Sequence, residues 1–427
     1  MIYLLLAALV LLTLVSYGLC GRDFFAPGTM LCLAFVFSCA SALYNASYWQ
    51  LDLAPRTVGV IVSALSITVG VNIWAHGCFQ RVRVQPWSGR ATPIPVWVSE
   101  GLLAALGVVL VVMLAQIRRI GGGGSFASAM VIFRAKNAYG VDLADQLPGW
   151  VRQMLNASAV IAFLYLFHLI WFGRRLGRLH LALNAAVLAA CVAVSLLTGG
   201  RFSAMTMVVA GAVLWYMLRS GGPRGVRLKT LFWVMMAALA VLYGFYAVKA
   251  LVGRQSDQTV VEYITHYAGG GIPGLDLYLK DPPAPSGIWG KETFYALNNG
   301  LRKLGLLDIP YYYIHHEFRQ SGGVSVGNIY TALRDYHYDF GMAGMYLLHT
   351  VFSVVFCFYY EYQKKRRSHL GILVWAMVYY CVVFYPISNS FFASVVSFGF
   401  GIRLGLLVFL YLLLIRKKGD APCRNPL

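Results

Sequence analysis

Five consecutive residues, His315, His316, Glu317, Phe318 and Arg319, bring two imidazoles, a carboxylate and a guanidinium together. An imidazole or a carboxylate can accept a proton from a hydroxyl group, and a guanidinium can stabilise negative charge that develops in the same reaction. The segment is therefore a candidate for acid–base chemistry on an anionic substrate. An alternative, in which it is only a surface loop that contacts lipid headgroups, remains open.

The residues that follow repeat these types at helical spacing. Arg334, His337 and Gly341 fall on one face of a predicted helix, and Asp335 and Asp339 share the neighbouring face. An arginine and a histidine that point together into a basic cleft would suit transfer from a phosphate leaving group, because one stabilises charge while the other moves a proton.

Other basic residues are candidates for binding the anion itself: Arg134, Arg201, Lys249 and Arg254. Arg201 follows the glycines 199–200, which permit a tight turn, and it opens a predicted helix whose free N–H groups add anion affinity. The planar guanidinium fork matches two phosphate oxygens at once. The alternatives are that Arg201 and Lys249 reach out to lipid headgroups, and that Arg134 lies on a solvated loop face.

Metal binding is the competing chemistry for His315 and His316. Adjacent ligands on one strand or helix point in different directions, and no HxxxH or HxxE pattern accompanies the pair. We therefore predict no metal and no other cofactor.

The rest of the chain resembles a membrane protein. Of its 427 residues 59% are hydrophobic and 12% are charged, which is about half the charged fraction of soluble proteins. About 20 apolar residues cross a bilayer as a helix. Eleven segments qualify: 2–20, 27–48, 57–79, 95–117, 150–172, 181–197, 202–218, 230–252, 340–360, 370–387 and 392–415.

The net charge of +19 comes largely from short basic clusters between these spans. Placing every cluster in the cytoplasm gives a consistent alternation through all eleven spans, which is the positive-inside pattern and argues against nucleic acid as a partner. We predict one polytopic all-α domain, residues 1–427, with a large extracytoplasmic loop at 253–339. The loop holds most of the candidate residues and would form a lid over a site built from helix ends.

Two features inside this loop have local patterns. Residues 291–307 place apolar side chains on one helical face, which predicts an amphipathic helix along the membrane interface. That face consists of Phe294, Leu297, Leu301 and Leu304. The glycines at 322, 323 and 327 predict a flexible start to the next helix, with Ser325 and Asn328 as caps.

Three segments, in this order, resemble the oligosaccharide repeat-unit polymerases, the Wzy-type polymerases of O-antigen, capsule and enterobacterial common antigen. They are the Gly-Gly-Arg201 hairpin, the Lys249/Arg254 helix end, and Gly327-Asn-Ile-Tyr330 leading to Tyr338-Asp-Phe-Gly-Met-Ala-Gly344. The likeness covers about residues 181–358 at the level of pattern.

The resemblance implies a membrane glycosyltransferase of the GT-C type that is inverting and uses no metal. Such enzymes move a glycan from undecaprenyl pyrophosphate to the non-reducing end of another lipid-linked glycan, at the outer face of the bacterial inner membrane. It implies that Arg201 and Arg254 bind the pyrophosphate. The partners would be lipid-linked oligosaccharide, the bilayer, and chain-length regulator and flippase proteins.

The mechanism predicted is direct displacement at the anomeric carbon. Glu317 or a nearby histidine accepts the proton of the acceptor hydroxyl, and Arg201, Arg254 and either Arg319 or Arg334 stabilise the departing pyrophosphate. Three alternatives remain: an O-antigen or wall-polymer ligase, which in the related family uses a loop histidine; a lipid-linked oligosaccharide flippase or other transporter; and a non-enzymatic partner of an export machine.

Overall fold

The computed structural model describes residues 1–87, 91–139, 146–199, 202–219, 243–244, 246–247 and 259–416. Its helices are α1 (Ile2–Leu19), α2 (Pro27–Tyr44), α3 (Pro55–Gln80), α4 (Val96–Gly121), α5 (Phe126–Tyr139), α6 (Gly149–Phe172), α7 (Arg178–Leu196), α8 (Phe202–Arg219), α9 (Val260–Gly269), α10 (Gly271–Lys280), α11 (Tyr295–Lys303), α12 (Ala332–Arg366), α13 (His369–Val378), α14 (Tyr380–Val383) and α15 (Phe398–Leu414). Strands β1 (Arg319–Ser321) and β2 (Val324–Gly327) form an antiparallel hairpin.

Eight of the described helices are long and apolar enough to cross a membrane: α1 to α4, α6 to α8, and α12. They agree with eight of the predicted spans, so the predicted class, an all-α membrane protein, is confirmed at this level. The span predicted at 230–252 lies almost entirely outside the described residues. The count of eleven therefore stays a prediction.

The last two predicted spans are interrupted. The first divides into α13 and the single turn α14, and Pro386 follows that turn. A proline lacks the N–H that a continuing helix needs. The second begins as a π-helical turn at Phe391–Val395, and α15 starts after Ser397, whose hydroxyl accepts a hydrogen bond from Phe400 N at 3.1 Å.

Helix α12 is the longest described element, with 35 residues, or about 52 Å at 1.5 Å per residue. It begins eight residues before the predicted span, and Gly341 kinks it with a φ of 64°. Its first turn carries Asp335 and its last turn carries Lys364 to Arg366, as the helix dipole favours. The kink separates a polar first part from the apolar remainder.

Hydrogen bonds between connecting segments agree with the predicted membrane topology. Gln85 N donates to Lys365 O at 2.7 Å, and Thr92 N donates to Ile415 O at 2.8 Å. The sequence assigns all these segments to the cytoplasmic side of the membrane. On the side predicted to be extracytoplasmic, Lys280 Nζ donates to Asp52 O at 2.9 Å. The structure thus joins segments that were predicted to share a side.

A buried charged cluster lies at the C-terminal end of α12. Asp23 accepts hydrogen bonds from Tyr216 and Tyr360, each at 2.7 Å, and from Lys364 Nζ at 2.9 Å. Lys364 Nζ also contacts Glu361 Oε1 at 3.1 Å. The cluster ties the connector after α1 to α8 and α12, which stabilises that end of the bundle.

The first described part of the predicted loop packs into the bundle, and the lid stays a prediction. Helix α9 lies against α2, where a Cβ added at Gly269 would come within 2.6 Å of Ala42 N. A Cβ added at Gly271 would overlap Pro386 O. The glycines therefore permit backbone contacts that a side chain would prevent, and α10 is buried along most of its length.

The predicted amphipathic helix is shorter than expected. Helix α11 buries Asn298 and Asn299, and Asn298 Nδ2 donates to Trp289 O at 2.8 Å. Leu304, which belongs to the predicted apolar face, is 60% exposed. The buried face is polar because loop carbonyls need donors. Phe294, the first residue of the predicted apolar face, packs against Phe340 and Phe392, so this face is not exposed as a whole.

The predicted flexible start of the next helix is instead the β1–β2 hairpin. Gly322 and Gly323 form its turn with φ values of 58° and 78°, the left-handed conformations that a two-residue hairpin turn needs. The N-cap of α12 is Thr331, so the prediction that Ser325 and Asn328 cap that helix is wrong.

Candidate functional site

Arg334 lies at the centre of the candidate site, in the first turn of α12. Its side chain is only 1% exposed. The guanidinium carbon lies 5.1, 4.9 and 5.3 Å from the ring centres of Tyr278, Tyr330 and Tyr338. Aromatic faces attract a cation, so three rings hold the guanidinium in one position.

Three carboxylates neutralise this buried cation. Arg334 Nη1 contacts Glu292 Oε2 and lies 3.5 Å from Asp335 Oδ1, and Nη2 donates to Glu317 Oε2 at 3.0 Å. A buried charge is stable only when it is paired in this way. Arg334 therefore fixes the relative positions of three acidic side chains from three separate segments.

Glu317 is bound between two guanidinium groups. Its other oxygen, Oε1, accepts a hydrogen bond from Arg319 Nη2 at 3.0 Å. Arg319 in turn donates to the backbone carbonyl of Asp281 at 2.7 Å and contacts its carboxylate at 3.3 Å. The Glu317 side chain keeps 33% of its surface exposed, so a ligand can reach it.

His316 lies against two of the same carboxylates. Its Nε2 is 3.4 Å from Asp335 Oδ1, and its Nδ1 is 3.8 Å from Glu292 Oε2. The ring meets Tyr330 edge to face at 5.4 Å between centres. The imidazole and its two acidic neighbours can hold and transfer a proton.

Asp339 supports the site from one turn further along α12. Its Oδ2 accepts hydrogen bonds from the backbone N–H groups of Glu292 and Thr293, at 3.0 and 2.6 Å. Thr293 Oγ1 also donates to Asp335 O at 3.1 Å. These bonds hold the backbone that carries Glu292 against α12.

The two other predicted histidines, His337 and His315, lie at the edge of the candidate site. His337 Nδ1 is 2.9 Å from the hydroxyl of Tyr278, the residue whose ring faces Arg334. Burial raises the pKa of Tyr278 to about 12, so this hydroxyl keeps its proton at neutral pH. His315 is exposed and its ring lies 5.7 Å from that of Phe318. His337 is thus linked to the site, whereas His315 lies outside its polar core.

The charge of the site differs from the expectation of a basic cleft. Five carboxylates surround two guanidinium groups, a formal charge of −3 with neutral histidines. The carboxylates belong to Asp281, Glu292, Glu317, Asp335 and Asp339. Arg319 and Arg334 are both engaged by them, so the described conformation leaves neither guanidinium free for a diphosphate.

Glu292, His316 and Asp335 also form a group that could hold a metal ion, with ligand atoms within 4.8 Å of one another. The guanidinium of Arg334 contacts both carboxylates of this group. The guanidinium occupies the position that a metal cation would take between these carboxylates, so a bound metal would have to displace Arg334.

Arg134 is the remaining anion candidate among the described residues. It lies on α5, half-buried, and a Cβ added at Gly199 would come within 3.1 Å of its Cγ. Gly199 has a φ of 80° and precedes Arg201 by two residues. Arg201, Lys249 and Arg254 lie outside the described residues. The structure therefore brings Arg134 to the turn that leads into Arg201.

The sequence alone indicated no site role for Glu292, for Asp335 or for the three tyrosines around Arg334. Glu292 lies far from the histidines in the chain, and only the fold brings it close. One signal was present, because Tyr338 follows Arg334 by four residues and shares its helical face.

Comparison of the chain with protein-family models, curated protein sequences and solved structures gives no match.

Proposed function

We propose that the protein is a membrane glycosyltransferase that polymerises lipid-linked oligosaccharide repeat units. The observation that carries the proposal is the position of Glu317, which is accessible, held by Arg319 and Arg334, and next to His316. Carboxylates and tyrosine hydroxyls bind sugar hydroxyls well, and a carboxylate beside an imidazole can act as a general base.

In the proposed reaction the acceptor hydroxyl oxygen bonds to the anomeric carbon of the donor glycan. The bond from that carbon to the lipid diphosphate breaks, and the diphosphate leaves with the bonding electron pair. Glu317 or His316 takes the hydroxyl proton. The acidic surroundings favour this step, because positive charge develops at the anomeric carbon in the transition state.

Arg319 and Arg334 each form an ion pair with Glu317. We therefore assign diphosphate binding to other residues. We assign it to Arg201 and Arg254, as the resemblance implies, together with Lys249 and Arg134. Arg134 lies beside the Gly199 turn, two residues before Arg201. A guanidinium beside this turn would suit an anion with two phosphates.

The proposed location is the outer face of the bacterial inner membrane. The site lies at the N-terminal end of α12, and the basic run from Lys364 to Arg366 lies at the other end. Cytoplasmic helix ends are enriched in lysine and arginine, so the site would face outward. There it would meet undecaprenyl-linked substrate, a flippase and a chain-length regulator.

A ligase that moves a finished glycan to another acceptor is the second candidate. It is favoured by His316, whose Nε2 lies 3.4 Å from Asp335 Oδ1, because ligases of the related family use a histidine in their last large loop. The acceptor, not the chemistry, separates the two functions.

The test is to incubate the purified protein with an undecaprenyl-pyrophosphate-linked repeat unit. A polymerase gives a ladder of products that differ by one repeat. Single transferred chains on a separate acceptor would favour the ligase. Movement of the lipid-linked substrate across a vesicle membrane without any new linkage would contradict both and indicate a transporter.

A further inference from the structure

Gln146, Arg152, Arg302, Tyr311 and Tyr313 form a second polar group, called here the tyrosine–arginine cluster. Gln146 Nε2 donates to the hydroxyls of Tyr311 and Tyr313 at 3.4 and 3.0 Å, and Arg152 Nη2 donates to Gln146 Oε1 at 2.7 Å. The guanidinium carbon of Arg302 lies 5.0 Å from the Tyr311 ring centre. The loop before α6, the start of α6, α11 and the segment before β1 all contribute.

Among the described residues, no carboxylate neutralises the positive charge of this cluster. In the part of the chain that the structure describes, neither Arg152 nor Arg302 forms an ion pair. Arg302 Nε is buried and has no hydrogen-bond partner there. The candidate site, whose Glu317 follows Tyr313 by four residues in the chain, has more carboxylates than guanidinium groups. Within the described ranges, the two guanidinium groups thus have no carboxylate partner, although the candidate site is rich in carboxylates.

We propose that the tyrosine–arginine cluster binds an acidic sugar, a hexuronic acid or a related carboxylate-bearing residue, of the glycan substrate. Two tyrosine rings at 5.2 Å and an interplanar angle of 81° offer apolar and hydroxyl contacts to a sugar ring. A guanidinium binds a carboxylate through two parallel hydrogen bonds. A diphosphate alone would not need the rings or the amide of Gln146.

The distance to the candidate site suits one extended glycan. Tyr313 and Glu317 are four residues apart in a segment without regular structure. Four residues span about 14 Å at most. One oligosaccharide could therefore contact both places, with its acidic sugar on the tyrosine–arginine cluster. This inference deepens the proposed function and rests on it for the substrate being a glycan.

The experiment measures binding directly, so it does not depend on polymerisation. The purified full-length protein in lipid nanodiscs is titrated with a glucuronic-acid-containing tetrasaccharide and with its carboxyl-reduced neutral counterpart. We expect the acidic form to bind about tenfold tighter, since a hydrogen bond to a charged group contributes at least that much. The Arg152→Gln/Arg302→Gln double variant should lose this preference and keep the affinity for the neutral form.

Lys303→Gln removes a neighbouring exposed charge and is the matched control, which should keep the preference. Equal affinities for the two tetrasaccharides in the unmodified protein would overturn the proposal. So would full competition by inorganic pyrophosphate together with no effect of carboxyl reduction, which would identify a phosphate site. Retained neutral binding in the double variant shows that it is folded. A protein that prefers the acidic form but makes no polymer would refute the proposed function alone.

Discussion

Glu317 and Arg334 are seventeen residues apart in the chain, and Glu317 Oε2 lies 3.0 Å from Arg334 Nη2. One partner is buried and the other is accessible. The pair therefore connects a fixed cation inside the protein to a carboxylate that a ligand can reach. Arg319 contacts Glu317, and Glu292 and Asp335 contact Arg334, so the other charged side chains join the site through this pair.

Replacing Glu317 with glutamine keeps the shape of the side chain and removes its charge and basicity. If Glu317 accepts the acceptor proton, the rate of linkage formation should fall by at least about 100-fold. Quantifying product chains from purified protein at fixed substrate checks this. Asp281→Asn is the control, because its carboxylate also contacts Arg319 but is 89% exposed. A Glu317→Gln rate within a few-fold of that control would exclude Glu317 as the base.

Arg334→Met should destabilise the fold by about 3–5 kcal/mol, because Glu292 and Asp335 would remain buried without their cation. Thermal unfolding in detergent measures the loss. Lys303→Met removes an exposed charge of the same loop and should change little. Adding Glu292→Gln to Arg334→Met should restore part of the stability. Unchanged stability in Arg334→Met would mean that the carboxylates are not buried as described.

The sequence predicted the helical class and most of the long spans, because a bilayer demands about 20 apolar residues wherever a helix crosses it. It also selected Glu317, His316, Arg319 and Arg334, which the fold brings together. It could not predict that the arginines are already paired. Glu292 contacts Arg334 and Asp281 contacts Arg319. Both carboxylates come from separate segments of the chain, and an ion pair between distant segments leaves no local sequence pattern.

The same limit applies to residues 253–339. This long run has no apolar span and carries many acid–base residues, which suggested an outer loop, whereas α10 within it lies inside the bundle. The signal was the glycine run that begins at Gly269, since closely spaced glycines often mark close backbone contact. Burial of α10 follows from its contact with Pro386 and α2, which only the assembled structure defines.

Gly271→Ala should prevent normal folding, because the added methyl group would overlap the backbone carbonyl of Pro386 and the backbone cannot move aside freely. Yield of monodisperse protein after purification measures this. Gly287→Ala is the control, since no atom lies within 4 Å of its added Cβ. Equal yields of the two variants would show that α10 does not pack against Pro386 in the protein.

Membrane topology can be tested with a native control. Phe318 is 61% exposed and adjoins Glu317, whereas Cys78 is exposed near the C-terminal end of α3. In intact cells a membrane-impermeant maleimide should label a Phe318→Cys variant, and it should reach Cys78 only after lysis. Labelling of both sites, or of neither, before lysis would contradict the outward placement of the candidate site.

The most direct test of the central claim follows the lipid and the glycan in one reaction. Purified protein is given a repeat unit on undecaprenyl pyrophosphate, and new glycosidic linkages and free lipid diphosphate are counted together. The proposal predicts a ladder in which each new linkage is accompanied by one released lipid diphosphate. Linkages without released diphosphate, or no linkage from a folded protein supplied with its native repeat unit, would contradict it.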